Sequence, residues 1–277
     1  MTMVRIGNLE VNLGGWLSER EDRDMIKALA KPMLAMAAPE DIPEELGVIE
    51  WMQIENQAQQ GSCAGHARTS CLELGIYQQT GGTIVQLCRQ FSYITAQMID
   101  GIVGDRGSTI IGNVKAGEKW GTPEEKWWPY TGNYDRNIPQ IAWDKAKEYI
   151  LNTHVVCNCY DDVFRFLTLG LGGVQIGVSW TNSFNAPIVE TFSRWGGGGG
   201  HSLAFLDWSS KKDSRGRRYL RLFNSWGREW GDRGTKLVSP TAIDQMFEDG
   251  NTVMIGLSDL KNLTKRKVSF VGKDSVF

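Results

Sequence analysis

Histidine is the scarcest reactive residue in this chain of 277 residues: there are three, His66, His154 and His201, so any chemistry that needs an imidazole has few places to be. Cysteine is also sparse. The five, Cys63, Cys71, Cys88, Cys157 and Cys159, are an odd number without a regular framework, which argues against a disulfide scaffold and for reduced thiols in a cytoplasmic setting. No apolar run reaches the 18 or so residues that a membrane span needs, and Glu10 arrives before any signal-peptide core, so neither a membrane partner nor export is expected. Charge of one sign is lacking too. A formal net charge of −2 provides no field to gather phosphate backbones, which excludes nucleic acid as the expected partner.

What is present is ordinary for a globular protein: 41 % hydrophobic and 22 % charged residues, with eleven tryptophans to bury. A chain of this length can build one large core or two modest lobes. Residues 1–41 read as an appended segment, with Leu9, Val11 and Leu13 alternating, a Gly14-Gly15 turn, and Met25, Ile26, Leu29 and Ala30 at helical spacing. From Ile49 the pattern changes. A helix is expected from about Cys63 with Ala64, Ala67, Cys71 and Leu74 on one face and Gly81-Gly82 at its end, followed by helices around Phe91–Ile99, Ile110–Lys119 and Trp143–Ile150.

Alternation then takes over in 173–178, 202–208, 219–224 and 235–238, the mark of strands. Helices first and strands after predict an α+β protein of two lobes, the helical one over about 52–150 and the sheet over about 151–258. The basic tail 259–277, with Lys261, Lys265, Arg266, Lys267 and Lys273, reads as a solvated end.

Cys63 follows Gln60-Gly61-Ser62 at a helix start, where unpaired N–H groups and the helix dipole favour a thiolate. Taken alone it is equally well a buried inert thiol. A nucleophilic thiol needs a base. His66 stands on the same helix and reads as a packed histidine, and His154 lies in or beside a strand. His201 follows the glycine run 196–200 and opens the strand Ser202–Leu206, so it can face Cys63 across an interlobe cleft. Asn224 ends the next strand, where its amide oxygen can accept from the ring and fix the tautomer. His154, Cys157 and Cys159 group three potential ligands, but no second pair at zinc spacing accompanies them and no metal or cofactor is expected.

Gln57 six residues before Cys63, Ser62-Cys63 at a helix start, His201 after a glycine, and the run Asn224-Ser225-Trp226-Gly227-Arg228-Glu229-Trp230-Gly231-Asp232-Arg233-Gly234 together resemble the papain (cathepsin) family of cysteine peptidases. Pro43–Trp51, Phe91-Ser92 and Trp128-Pro129-Tyr130 match further landmarks, so the resemblance covers about 42–258. It implies a papain-like fold: a helical lobe, an antiparallel barrel-like sheet lobe and a cleft between. It implies a peptide or protein substrate, Cys63 as nucleophile, His201 as base, Asn224 as its orienting partner and Gln57 as oxyanion donor, with Trp226 shielding the Asn224–His201 bond. It further implies that Gly107 and Ser108 bind substrate backbone and that Thr109 and Ile110 wall the pocket beside them, with Gly177 and Gly200 as weaker lining candidates. Ser108 serves equally as a plain helix N-cap.

The departures are specific. Gln60 replaces the family's usual cysteine and Ala64 its usual tryptophan, so the disulfides of secreted relatives are not expected. With about 40 residues before the domain, the family's long helical propeptide and its zymogen control are not expected. A reading from another class stands beside the enzyme: a structural or assembly subunit, for example of a phage particle, working as a homo-oligomer or in a larger assembly.

Overall fold

The computed structural model describes residues 2–6, 8–22, 24, 26, 41–193 and 198–261. The expected helix around Met25–Ala30 lies largely outside these residues, as does most of the basic tail. The alternating Leu9, Val11 and Leu13 form a strand, and its partner lies just upstream: β1 (Thr2–Ile6) pairs antiparallel with β2 (Leu9–Leu13). Val11, Leu13 and Trp16 are buried in the main core, so this described part of the N-terminal segment is packed into the domain.

The helical lobe holds α1 (Val48–Trp51), α2 (Cys63–Thr80), α3 (Arg89–Asp100), α4 (Ile110–Trp120) and α5 (Gln140–Ala146). Helix α2 is the axis of the molecule. Its apolar residues Ala64, Ala67, Cys71 and Leu74 are buried, and so are its polar His66, Arg68 and Glu73, because the sheet covers one side and α3 and α4 the other. Gly81 ends it in the left-handed conformation (φ 74°), its N–H donating to the Tyr77 carbonyl. Arg89, fully buried, holds Glu73 at 2.9 Å and Glu55 at 2.8 Å. The N-cap of α4 is Thr109, whose hydroxyl accepts from the Gly112 N–H; Ser108, the expected cap, lies one residue earlier.

Helix α5 corrects the expected Trp143–Ile150. It ends at Ala146, where the Thr122 N–H takes both the Ala146 and Tyr149 carbonyls, and Ile150 is drawn into the sheet. The strands are β3 (Ile150–Val156), β4 (Val174–Ser179), β5 (Ile188–Val189), β6 (Gly200–Lys212), β7 (Arg218–Phe223), β8 (Thr235–Val238) and β9 (Val253–Lys261). Two helices that the sequence pattern left unmarked, α6 (Tyr160–Thr168) and α7 (Pro240–Glu248), pack against them. The order is β3-β9-β4-β6-β7-β8-β5, antiparallel except for the β5–β8 edge.

His154 lies on β3 and bonds Glu118 at 2.9 Å. Beyond Val156 the strand stops: Cys157 is buried, whereas Cys159 is exposed and precedes α6, so the two do not share a strand face. Two further features position the site. The 4–6 pairing puts His201 opposite Val178 on the face toward α2, and β7 delivers Asn224 just beyond Phe223.

Candidate active site

Cys63 is the first residue of α2 and His201 the second of β6; each is 0 % exposed. The Ser202 N–H, next to His201, faces the Cys63 sulfur. The His201 Nε2 stands 2.8 Å from Asn224 Oδ1, which also accepts the Ser225 N–H at 2.8 Å. Two donors on one oxygen settle the amide orientation, so the ring carries its proton on Nε2 and leaves Nδ1 bare. Trp226 stacks on the imidazole at 4.5 Å and 29°. Trp180, unmarked in the sequence, packs beside Trp226 at 4.6 Å and stands edge-on to His201 at 5.5 Å.

Gln57 arrives from the helical lobe through a short strand-like pairing, Asn56 with Trp226. Its N–H donates to the Ser225 carbonyl at 2.8 Å, and the Gly227 N–H returns to Glu55. Its side chain is held at both ends, Nε2 donating to the Gln60 carbonyl at 2.8 Å and Oε1 accepting from Ser225 Oγ at 2.6 Å. Asp105 accepts the Gly61 N–H and the Tyr93 hydroxyl, which steadies the turn before Cys63. His66 is the packed helix histidine of the sequence reading: Nδ1 bonds the Ser62 carbonyl, and burial lowers its pKa to about 3.

What the sequence did not disclose is that the cleft is filled by the chain's own Gly14–Leu17. The Gly14 N–H donates to the Gly200 carbonyl at 2.9 Å; the Ser108 N–H donates to Gly15 and the Leu17 N–H to Ser108, a parallel bridge. Gly107 and Ser108, expected to hold substrate backbone, thus hold this strap. Gly107 (φ 83°) lies so near that a Cβ on it would meet the Gly15 oxygen at 2.5 Å. A Cβ on Gly15 would stand 2.8 Å from the Cys63 sulfur and 2.8 Å from the Gly61 oxygen. Only glycine passes there.

The Trp16 indole fills the neighbouring pocket against Gly177, Ile110 and Gly200, the residues named as its lining; Thr109 is engaged in capping α4 and in bonds to Asp100. Glu21 ties down the far end, accepting from the Trp16 indole at 2.8 Å and from the Ile110 and Ile111 N–H groups at the start of α4. Beyond the strap a cavity of about 920 Å³ remains, bounded by Leu9, Leu13, Trp180, Trp230 and Lys236. The Gly14-Gly15-Trp16 sequence was the available signal, legible only as a turn.

Covering the cleft changes its electrostatics. Burial pushes the Cys63 thiol up to about 12, outweighing the Ser202, Ala64 and Cys63 N–H groups that pull it down, and burial lowers His201 to about 4 against the Asn224 bond. The covered pair is therefore neutral. Burial thus keeps a neutral thiol at the helix start, where the sequence alone favoured a thiolate.

Together the two lobes have the fold of papain-like cysteine proteases, as solved structures bear out. Xylellain, a cysteine protease from Xylella fastidiosa, superposes with a TM-score of 0.66 at 18 % identity over 84 % of this chain and 96 % of its own. The bromelain protease from Ananas comosus gives 0.59 at 15 % identity over 78 % and 99 %. In sequence, the chain is similar to the probable cysteine protease RDL3 of Arabidopsis thaliana, 24 % identical over 213 residues. That match takes in 70 % of this chain and 52 % of RDL3, so the chain spans about half the length of the curated relative it matches. No family model matches it.

Proposed function

We propose that this chain is a cysteine peptidase that hydrolyses peptide bonds through a thioester, and that Gly14–Leu17 hold it in a covered state. The carrying observation is the His201–Asn224 bond under Trp226, on a strand whose next N–H faces the sulfur of a helix-starting cysteine. In the open cleft the Cys63 thiol gives its proton to the bare His201 Nδ1 and the sulfur attacks the peptide carbonyl carbon. The new C–S bond drives the carbonyl electron pair onto oxygen, where the Gln57 side chain and the Cys63 N–H donate to it. Collapse expels the amine with the proton from His201, and water, deprotonated by the same ring, releases the acid. Gly107, Ser108 and Gly200, which bind the strap backbone, would bind substrate backbone in its place, with a side chain in the pocket of Trp16.

Because Cys63 has no exposed surface, substrate reaches it only when the strap leaves. The test compares wild type with Cys63→Ala on denatured casein under reductant across roughly pH 5–8, with a peptidyl epoxide to label the nucleophile. Turnover lost in Cys63→Ala and label mapped to Cys63 are the expected results. Equal cleavage by both, or first labelling of Cys157 or Cys159, would reject the assignment.

A further inference from the structure

The oxyanion donor is held in place by a hydroxyl that the peptidase reading does not use. Tyr130, in Trp128-Pro129-Tyr130, reaches back to the turn before α2. Its hydroxyl lies 2.9 Å from the Gln57 carbonyl oxygen and 2.7 Å from Ser62 Oγ, and its ring stands edge-on to His66 at 4.7 Å. A carbonyl only accepts and a phenol has one hydrogen, so Tyr130 donates to Gln57 and the Ser62 hydroxyl donates to Tyr130. The result is a directed chain, Ser62 to Tyr130 to Gln57, whose members polarise one another. Burial holds the phenol above its ordinary pKa, which keeps it a donor at working pH.

Each end of this chain adjoins an oxyanion donor. Gln57 carries the amide whose second Nε2 hydrogen is left after the bond to Gln60, and Ser62 immediately precedes the N–H of Cys63. We propose that Tyr130 is a positioning residue: its hydroxyl sets the spacing of the Gln57 amide and the Cys63 N–H about the carbonyl oxygen. This rests on the peptidase reading above.

Tyr130→Phe removes one oxygen. It should lower kcat about five- to tenfold, the worth of one net hydrogen bond, with KM unchanged. Alkylation of Cys63 by iodoacetamide should keep its rate, since displacing iodide from an sp³ carbon builds no oxyanion. In a Gln57→Ala background the loss should largely disappear, because the donor it positions is gone. A merely structural tyrosine would lower turnover and alkylation alike, or multiply in full with Gln57→Ala, and either result overturns the proposal. Ser62→Ala, which deletes the other end of the chain, provides the same comparison should Tyr130→Phe not fold.

A further arm needs no turnover. The Gln57 side-chain amide resonances, assigned by their loss in Gln57→Ala, should shift or broaden in Tyr130→Phe. Unmoved resonances overturn the proposal; a shift together with a wild type that cleaves nothing would sink the peptidase reading and leave the contact standing.

Discussion

At the scale of residues, the site is a set of groups whose protonation depends on what covers them. With the strap in place, Cys63 stays a neutral thiol at all pH below about 12 and His201 a neutral base above about 4. The intact chain should therefore lack the ultraviolet absorbance of a Cys63 thiolate between about pH 5 and 8, read as wild type minus Cys63→Ala. Under the proposed mechanism, Gln57→Ala should lower kcat by about 10²–10³ with KM nearly unchanged, because a donor to the oxyanion acts mainly in the transition state. Asn224→Ala should be milder in steady-state assays. Trp226 still stacks on the imidazole and Trp180, beside it, still meets the ring edge-on, so its orientation is degraded and not lost.

The strap is the element on which access depends, and its weakest tolerance is at Gly15. Overpacking typically costs about 1–3 kcal/mol. Gly15→Ala should shift the segment out of the cleft and raise the alkylation rate of Cys63 about tenfold or more, and an unchanged rate would contradict the covered state. Glu21 adds a pH dependence. Burial is the largest influence on its carboxyl and raises the pKa, against the Trp16, Ile110 and Ile111 N–H groups. A docked carboxyl that holds its proton more firmly than a free one makes docking take up protons. Docking is then favoured below the ordinary value of 4.5 and weakens as pH rises through the raised one. Glu21→Gln keeps an oxygen for the N–H groups and removes the titration. The ratio of wild-type to variant alkylation rates should thus climb with pH over that window.

For the whole molecule, stability should be indifferent to reductant. All five cysteines are free, and losing a native disulfide would cost about 2–5 kcal/mol, a midpoint drop that thermal unfolding would reveal. Asp207 bears on stability differently. Burial pushes it up to about 6 although the Leu46, Val48 and Trp208 N–H groups all donate to it, and it fastens the start of α1 to β6. Its raised pKa makes its contribution fullest below 3.8 and lost as pH rises through about 6. The thermal midpoint of wild type relative to Asp207→Asn should fall across that interval.

The resemblance to the papain family groups Cys63, His201 and Asn224 with Gln57; by itself the sequence determined the α+β class, the helix that begins at Cys63, and the strands that carry His201 and lead to Asn224. These rest on local signals: a helix start after Gly61-Ser62, period-two alternation and the Asn224–Gly234 run. Helix α5 was misplaced because Ile150 answers to its partner Lys261 across the sheet, a contact no local window contains. The same holds for the strap, for Trp180 over the imidazole and for Tyr130 beneath Gln57. Gly14-Gly15 looks like a turn in any sequence. Only the closing of the two lobes, which brings Gly200, Ser108 and the Cys63 sulfur to within contact of one backbone segment, decides that it fills the cleft, because burial and hydrogen bonds between distant residues exist only once the chain has packed.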